Sequence, residues 1–325
     1  MPLAILPLLS FGLTALTLYA LLRTGGAWHL AVDRPNHRSL HQRPTPRIGG
    51  LVLVPAFLLS WILAPMASPG LVMLIAVLCL LSFADDRSHL PVALRLVAHA
   101  SVAVGFCWFV ARPPTWPWLF VAVAAIVVFT NFYNFMDGAD GLAGGMAVLG
   151  FSAYAWAAAP ADAGLAVGSA CVAAATAGFL LFNFPPAQVF MGDAGSISLG
   201  FAAAALGLLG IQDGLWPAWF PLLVFSPFCV DAGVTLARRI SRGERFWQGH
   251  RQHYYQRLIR MGWSHRRTVL NAYALMALAA LSAVVGLALS PPAQGYLLAG
   301  WCLAYVVLLG AIDKRWRASP ASADA

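Results

Sequence analysis

The sequence predicts an all-α protein that crosses a membrane about eleven times. Hydrophobic residues make up 60% of the chain and charged residues only 10%, and the mean hydropathy is +0.75. These values exclude an ordinary soluble domain, in which roughly a quarter of the residues are charged. The arginines are concentrated in a few segments between apolar runs, which is typical of the cytosolic side of a polytopic membrane protein.

The apolar runs have the length that a membrane-spanning helix needs, about twenty residues. No basic residue precedes the first run and no small-residue cleavage site follows it, so we expect a retained span rather than a signal peptide. The predicted spans lie at 2–22, 48–65, 69–84, 92–111, 117–134, 142–160, 163–183, 196–212, 216–237, 267–289 and 294–312. Together they form a single transmembrane domain, 1–325, with no sequence repeat.

The distribution of Lys and Arg predicts the orientation. If the N-terminus lies outside, nearly every Lys and Arg falls in an inner segment or at an inner helix end, with Arg112 as the clear exception. The inner segments are then 23–47, 85–91, 135–141, 184–195, 238–266 and the tail from 313. The unusual polar motifs fall in or beside these segments. We therefore expect a multi-pass membrane protein whose functional site lies on the cytosolic face.

Two carboxylates and an amide lie close together after the fifth apolar run: Asn134, Asp137 and Asp140. Such oxygen atoms suit a hard cation such as Mg²⁺, which proteins usually hold through one or two carboxylates and the phosphates of a substrate. An Asp-Gly turn followed by a helix cap explains one of the two acids. It does not explain both of them beside Asn134 at a membrane edge, so the segment is predicted to line a cation and nucleotide site.

A second glycine-rich segment, Phe190-Met-Gly-Asp-Ala-Gly-Ser196, opens the eighth apolar run. A glycine-rich turn that leads into a helix N-terminus is a ready anion site. Asp193 would repel a bare phosphate there, but it would hold a Mg²⁺ ion that the phosphate shares. A helix cap formed by Asp193 or Ser196 is the alternative. Asn183, which precedes Pro185, is expected to direct its amide toward the same pocket.

Three further acids stand at the end of an apolar run or inside one. Asp85 and Asp86 end the third run and are followed by Arg87. Arg87 could neutralise the pair, so a plain charge cluster at a helix end remains an alternative to a functional site. Asp231 lies inside the ninth run, before Arg238. An acid within a membrane is a functional candidate, and pairing with a basic group is the alternative.

Two basic segments remain, one at 33–47 that includes Arg47 and one at 238–267 that includes His250, Arg251 and His253. Arginine side chains match the geometry of phosphate groups. Attraction to anionic lipid headgroups accounts for many of these arginines, but it does not predict two histidines beside two tyrosines. The stretch 251–261 is expected to form a short amphipathic helix at the membrane interface.

Taken in order, these segments resemble the polyprenyl-phosphate N-acetylhexosamine-1-phosphate transferase family (glycosyltransferase family 4), which is related to phospho-N-acetylmuramoyl-pentapeptide transferase. The resemblance rests on Arg43-Pro-Thr-Pro-Arg-Ile-Gly-Gly50, Asp85-Asp86, Asn134-Phe-Met-Asp-Gly-Ala-Asp-Gly-Leu142, Asn183 with Phe190-Met-Gly-Asp-Ala-Gly-Ser196, and the histidine segment. These motifs occur in the order of the family and cover most of the chain. Together they are specific, whereas one alone would not be.

The resemblance implies a reaction and a role for each motif. A UDP-sugar would donate an N-acetylhexosamine 1-phosphate to undecaprenyl phosphate and release UMP, with Mg²⁺ (or Mn²⁺) as the cofactor. The implied metal ligands are Asp193 and Asp137, and the implied catalytic carboxylates are Asp85, Asp86, Asp137 and Asp140. The implied substrate-binding residues are Arg47, Asn134, Asn183, Phe190, His250, Arg251 and His253. Phe190 and Asn183 would hold the uridine end, and the histidine segment would contact the diphosphate and the sugar.

The histidine segment departs from part of the family. Relatives that use N-acetylglucosamine or N-acetylmuramoyl substrates often have a denser histidine cluster than the one here, Gly249-His-Arg-Gln-His-Tyr-Tyr-Gln256. It looks more like the subgroup that initiates O-antigen synthesis and takes deoxy or otherwise modified N-acetylhexosamines. The expected partners are a UDP-N-acetylhexosamine, undecaprenyl phosphate and the bilayer. No nucleic acid is expected, and a homodimer is left open.

Two other functions fit some of these features. A secondary transporter would also have many spans and an acid within the membrane, but transporter sites usually lie near the midplane, on broken helices of repeated halves. A CDP-alcohol phosphotransferase would also be a membrane phosphotransferase. Its Asp-x-x-Asp-Gly-x-x-Ala-Arg pattern breaks here at Gly144 and Gly145, and fewer spans would be expected.

Overall fold

The computed structural model describes residues 3–35, 43–63, 68–88, 90–112, 115–245 and 248–322, and in these residues the chain is a bundle of helices. Parts of three predicted loops, at 36–42, 89 and 246–247, lie outside the described residues. The helices are α1 (Ile5–Thr24), α2 (Ala27–Leu30), α3 (Gly49–Leu63), α4 (Pro69–Ser88), α5 (Val92–Phe106, continued by a π-helical turn, Cys107–Ala111), α6 (Trp116–Phe135), α7 (Leu142–Ala158), α8 (Ala163–Asn183), α9 (Asp193–Gln212), α10 (Trp219–Val224), α11 (Ser226–Ser241), α12 (Tyr254–Arg260), α13 (His265–Gly286) and α14 (Pro291–Arg317), followed by a 3₁₀ turn at Pro320–Ser322. Two short strands, β1 (Val32–Asp33) and β2 (Thr45–Pro46), pair antiparallel.

Eight helices within the described ranges are long and apolar enough to cross a membrane. They are α1, α4, α5 with its π-helical turn, α6, α8, α9, α13 and α14, and each coincides with a predicted span. Two further apolar helices, α3 and α7, are shorter. The prediction of an all-α polytopic membrane protein is therefore confirmed. The count of eleven crossings and the orientation of the termini stay predictions.

The ninth predicted span, 216–237, is not a single helix. α10 ends at Val224 and α11 begins at Ser226, with Phe225 between them. Pro227 occupies the first turn of α11, where its missing N–H is tolerated, but it cannot donate a hydrogen bond back into the preceding helix. The ninth predicted span therefore consists of two helices, and its crossing of the membrane stays a prediction.

The helix α9 lies at the centre of the bundle. Of its most apolar window, 78% is buried, compared with 6% for α14. It packs against α4, α6 and α3. Its glycines allow close approach, since a Cβ on Gly200 would meet the backbone of Thr130 in α6 at 3.0 Å. Because Asp193 is the first residue of α9, the most enclosed helix of the bundle fixes its position.

Backbone hydrogen bonds fix the start of α3 against the start of α9. Phe190 donates its N–H to the carbonyl of Pro46 at 2.8 Å, and Gly50 donates to the carbonyl of Met191 at 2.8 Å. Gly50 has to lack a side chain, because a Cβ there would collide with the backbone of Gly195. These contacts place the arginine-containing motif directly beside the second glycine-rich segment.

Substitution of Gly50 by Ala is expected to separate α3 from α9 and to lower thermal stability. The added Cβ would press on backbone atoms of Gly195 rather than on a flexible side chain, and overpacking typically costs about 1–3 kcal/mol. The melting temperature of the purified protein in detergent measures the effect. Gly12→Ala is the matched control, since a Cβ at Gly12 meets nothing within 4 Å. Equal melting temperatures for the two variants would contradict the expectation.

Candidate active site

Arg47 joins two of the predicted carboxylates. Its Nη2 atom lies 2.7 Å from Oδ1 of Asp193 and 3.1 Å from Oδ1 of Asp86. Asp86 also accepts the backbone N–H groups of Asp193 and Ala194, at 3.2 and 3.4 Å, so it caps the positive N-terminus of α9. Burial alone would lower the pKa of Arg47, but the carboxylates of Asp193 and Asp86 raise it. Three segments that are distant in sequence therefore meet at one charged point.

Arg95, which none of the motifs indicates, completes this cluster. Its Nη1 atom lies 3.1 Å from Oδ2 of Asp85 and 3.7 Å from Oδ2 of Asp193. Its Nε atom is buried and has no hydrogen-bond partner among the described residues. Arg87, the alternative partner suggested by the sequence, is exposed. A signal for Arg95 was present, because an arginine inside an apolar run is costly and marks a functional candidate.

Asp137 lies beside this cluster without a counter-ion of its own. Within the described residues its carboxylate forms no ion pair. Desolvation by the surrounding protein raises the pKa of Asp137 well above its usual range; the carboxylates of Asp193 and Asp86 raise it further, and Arg47 opposes them. Part of the side chain remains accessible. An accessible carboxylate that is unfavourable as a free anion is suited to receive a cation.

These residues fit a metal site that is shared with a substrate rather than a closed one. No group of three or more His, Cys, Asp or Glu side chains in the described ranges is arranged to hold a metal ion by itself. Mg²⁺, however, is usually bound by one or two carboxylates and by substrate phosphates. Asp137 and Asp193, which interact electrostatically, match that mode of binding.

Replacement of Asp137 by Asn is expected to raise the melting temperature in Mg²⁺-free detergent at neutral pH. The pKa of Asp137 is raised in the folded protein, so the folded state favours the protonated form. Stability therefore falls as the pH increases above the ordinary Asp range, about pH 4. The Asn variant lacks this loss, and its advantage should vanish toward pH 4. Asp213→Asn, at an exposed position, is the control. A variant that melts below the wild type at neutral pH would contradict the argument.

Two predicted substrate-binding amides hold the site together. Asn134 accepts a hydrogen bond from Oγ of Ser196 at 2.8 Å, which ties the Asp137 segment to α9. Asn183 accepts from the backbone of Gly141 at 2.9 Å and donates to the carbonyl of Val189 at 2.8 Å. Both the oxygen and the nitrogen of its amide are hydrogen-bonded, so Asn183 joins the loops that carry Gly141 and Val189. Its role toward a uridine stays a prediction.

Asp140 and Phe190 are two further residues of the predicted site. Asp140 accepts the N–H of Ala187 at 3.1 Å, and Nδ1 of His265 lies 3.7 Å from its other oxygen. That Nδ1 atom is buried and has no hydrogen-bond partner among the described residues. Phe190 is half-buried, and its backbone pairs with that of Arg47 in a parallel bridge. His265 is therefore an additional candidate that the motifs do not indicate.

The histidine segment lies against the loop that carries Asp137. The ring of His253 stacks on Tyr255 with 5.9 Å between the ring centroids, and Tyr255 donates its hydroxyl to the carbonyl of Phe135 at 3.3 Å. A Cβ on Gly138 would collide with that hydroxyl. The segment and the loop therefore pack in direct contact.

The other two members of the histidine segment differ in their surroundings. Burial, with the nearby His253 and Arg239, lowers the pKa of His250 to about 3, so this imidazole is neutral at physiological pH. Its Nδ1 atom accepts the N–H of Gln252 at 3.3 Å. The guanidinium of Arg251 forms no ion pair among the described residues and is half-exposed. It is free to bind an anion.

The helix in the stretch 251–261 is shorter and more buried than the sequence predicts. α12 has seven residues, and Tyr254 and Arg257 are among its buried ones. Asp313 of α14 holds it, since Arg257 and the hydroxyl of Tyr254 donate to this carboxylate at 2.9 and 3.2 Å. This ion pair draws Arg257 inward, and a position of α12 at the membrane interface stays a prediction.

Comparisons with known proteins show which sequences this chain is similar to. The model of the family described as glycosyl transferase family 4 matches residues 68–211. A probable undecaprenyl-phosphate N-acetylglucosaminyl 1-phosphate transferase of Bacillus subtilis is 30% identical over 275 residues, covering 78% of this chain and 77% of the relative. A decaprenyl-phosphate N-acetylglucosaminephosphotransferase of Mycobacterium leprae is 29% identical over 323 residues, covering 83% and 80%. A phospho-N-acetylmuramoyl-pentapeptide-transferase of Picosynechococcus is 29% identical over 255 residues, covering 70% and 68%.

Proposed function

The chain belongs to glycosyl transferase family 4, and from this premise we propose that it transfers an N-acetylhexosamine 1-phosphate, or a modified derivative, from a UDP-sugar to undecaprenyl phosphate. Sugar-phosphate transfer to a polyprenyl phosphate is the activity for which its relatives are named. The UDP donor, the Mg²⁺ dependence and the identity of the sugar are parts of the proposal. One observation carries it: Arg47 and Arg95 meet Asp85, Asp86 and Asp193 at one point, although these residues come from segments that are distant in sequence.

The reaction is a phosphoryl transfer. An oxygen of undecaprenyl phosphate attacks the sugar-linked phosphorus of the UDP-sugar, and a new P–O bond forms. The bond from that phosphorus to the bridging oxygen breaks, and UMP leaves with the electron pair. Because the acceptor is already an anion, the reaction depends on positioning and charge neutralisation more than on a strong base.

The residues of the cluster supply that positioning. Arg47 and Arg95 are 28% and 29% exposed, so their guanidinium groups can contact phosphate oxygens while they remain paired with carboxylates. A Mg²⁺ ion held by Asp193 and Asp137 would supply neutralisation of the diphosphate and of the charge that develops on UMP. Asp85, which pairs with Arg95, would orient that arginine toward the lipid phosphate.

An apolar groove offers a place for the polyprenyl chain. It has a volume of about 480 Å³ and is lined by residues of α11, α12, α13 and α14. Met136, the neighbour of Asp137 in the sequence, lines it as well. A lipid tail in this groove would bring its phosphate toward the carboxylate cluster.

The histidine segment supports the finer assignment to an O-antigen-type pathway. It has two histidines followed by Tyr254 and Tyr255, both of which are buried, and this is a sparser cluster than the resemblance implies for relatives that use N-acetylglucosamine or N-acetylmuramoyl substrates. We therefore propose that the product initiates a lipid-linked cell-surface polysaccharide whose first sugar is a modified N-acetylhexosamine.

Turnover in detergent tests this function. The purified protein, undecaprenyl phosphate, Mg²⁺ and a panel of labelled UDP-N-acetylhexosamines should give UMP and a labelled lipid, and both should require the lipid phosphate. Absence of both products with every sugar nucleotide of the panel would overturn the proposal. Uptake of label into sealed vesicles without UMP would indicate a transporter instead.

Reporter fusions test the proposed orientation. A reporter at Pro291 should lie outside and one after Ala325 should lie inside, because the arginine-rich segments are expected in the cytosol. The reverse result would place the carboxylate cluster on the face of the membrane where no UDP-sugar is available.

A further inference from the structure

Asp231 is a buried acid of α11 whose partners are all hydrogen-bond donors from the histidine segment or its own helix. Oδ1 of Asp231 lies 3.1 Å from Nδ1 of His253, and the carboxylate accepts the backbone N–H groups of Tyr254 and Tyr255 at 2.9 and 3.1 Å. Thr235 adds a weaker contact at 3.4 Å. Within the described residues no Arg or Lys pairs with this carboxylate. Asp231 is therefore satisfied by the segment that it holds.

The nearby arginines serve a different acid. Arg238 binds Asp313 with two parallel hydrogen bonds of 2.8 and 2.7 Å, and Arg257 adds a third at 2.9 Å. The helix α12 is thus anchored twice, by Asp313 on one side and by Asp231 on the other. Only the second anchor contacts a histidine.

The contact with Asp231 determines which nitrogen of His253 carries a proton. An ionised carboxylate can only accept hydrogen bonds, so Nδ1 has to be the donor, which leaves Nε2 for another partner. The same side chain faces the backbone N–H of Gln256, with which His253 forms a capping box at the start of α12. The ring itself is held in place by stacking on Tyr255 and by Phe135, at 5.9 and 6.1 Å between ring centroids.

The ring of His253 lies next to the loop that carries Asp137. Phe135 contacts the ring and accepts the hydroxyl of Tyr255, and Asp137 follows two residues later in the chain. A sugar nucleotide that binds at Asp137 would therefore have His253 beside it. Between a carboxylate on one side and a phosphate on the other, the doubly protonated imidazolium can donate charge-assisted hydrogen bonds to both.

We propose that Asp231 is a positioning residue that holds His253 with Nδ1–H on its carboxylate and with Nε2 directed to a phosphate oxygen of the sugar nucleotide. The inference rests on the proposed function. It makes Asp231 act on the sugar nucleotide through His253 rather than by direct contact. A purely structural role, as a cap for the N-terminus of α12, is the alternative that the experiment has to separate.

A double-mutant cycle separates the two roles. Asp231→Asn should lower kcat roughly ten- to hundred-fold, as expected for the loss of a charge-assisted hydrogen bond, with a smaller effect on KM. In a His253→Ala background the same substitution should change kcat by less than about two-fold, because the group through which it acts is absent. If Asp231→Asn lowers kcat equally in both backgrounds, or in neither, the proposal is overturned.

Asp313→Asn is the matched control for the structural role. It weakens the anchor of α12 that does not contact His253. Asp313→Asn should lower kcat by the same factor in the wild-type background and in the His253→Ala background. This result would show that loosening α12 alone does not produce the coupling expected for Asp231.

A spectroscopic measurement keeps the test independent of turnover. The ¹⁵N spectrum of histidine-labelled wild-type protein, assigned by comparison with His253→Asn, should show the proton of His253 on Nδ1. A proton on Nε2 with a bare Nδ1 would overturn the inference, whether or not the Asp231 variant folds. If the wild type shows the Nδ1 proton but forms no UMP, the proposed function fails while the pairing of Asp231 with His253 stands.

Discussion

Replacement of Asp193 by Asn is expected to lower turnover by about a hundred-fold or more, the loss typical of one electrostatic group that stabilises a transition state. The substitution keeps the shape of the side chain and removes its charge. Asp193 is the first residue of α9, where the helix dipole favours an anion. It also faces both Arg47 and Arg95. UMP release at saturating Mg²⁺ measures the effect.

Asp213→Asn is the matched control, since Asp213 caps the opposite end of the same helix and is exposed. It should retain the turnover of the wild type. If a folded, membrane-inserted Asp193→Asn protein also retained that turnover, neither metal binding nor phosphate binding could depend on this carboxylate. A large loss in both variants would point to a general weakening of α9.

Replacement of Arg47 by Met is expected to reduce both stability and turnover strongly. Asp86 and Asp193 would lose the cation that bridges them, and removing one partner of a buried ion pair typically costs about 3–5 kcal/mol. We expect the lower end of this range, because the Arg47 side chain is partly exposed. The melting temperature and UMP release measure the two effects.

Two further variants make the test of Arg47 specific. Arg47→Lys keeps the charge but replaces the planar guanidinium, whose Nη2 atom contacts both carboxylates, with a compact ammonium group, so it should be intermediate. Arg87→Met is the control, because Arg87 stands beside Asp86 in the sequence yet is exposed and contacts only the ring of Phe83 in the described residues. Equal stability of Arg47→Met and Arg87→Met would mean that the bridge contributes nothing.

The spans and the motifs could be predicted from the sequence because hydropathy and turn residues are properties of neighbouring residues. The apolar run at 163–183 has the same bounds as α8, Ala163–Asn183, since hydropathy and the Asn-Phe-Pro-Pro stop are both properties of neighbouring residues. The glycine-rich turn around Asp193 likewise predicted the start of a helix, and α9 begins at Asp193. Each of these features depends on the residues of one segment and on the solvent around it, and not on contacts with distant segments.

The partners of the charged side chains could not be predicted in the same way. Arg47 and Asp193 are 146 residues apart in the sequence, and their contact depends on two glycines that allow α3 and α9 to approach. The sequence suggested Arg87 as the neutralising cation near Asp86, but Arg47 binds Asp86 and Arg95 binds Asp85. Adjacency in the chain was a poor guide because α4 turns Arg87 outward.

The sequence by itself determined that this chain is a helical membrane protein with its acids gathered at the ends of the spans, because burying apolar surface and exposing charge are additive along the chain. Only the tertiary structure decided which acid meets which base. It brought Asp231 into contact with His253 and Asp313 into contact with Arg257. It also divided the ninth predicted span into two helices at Phe225. The physical reason is that a buried ion pair requires both partners within about 3–4 Å in the right geometry, and that distance is set by how whole helices pack.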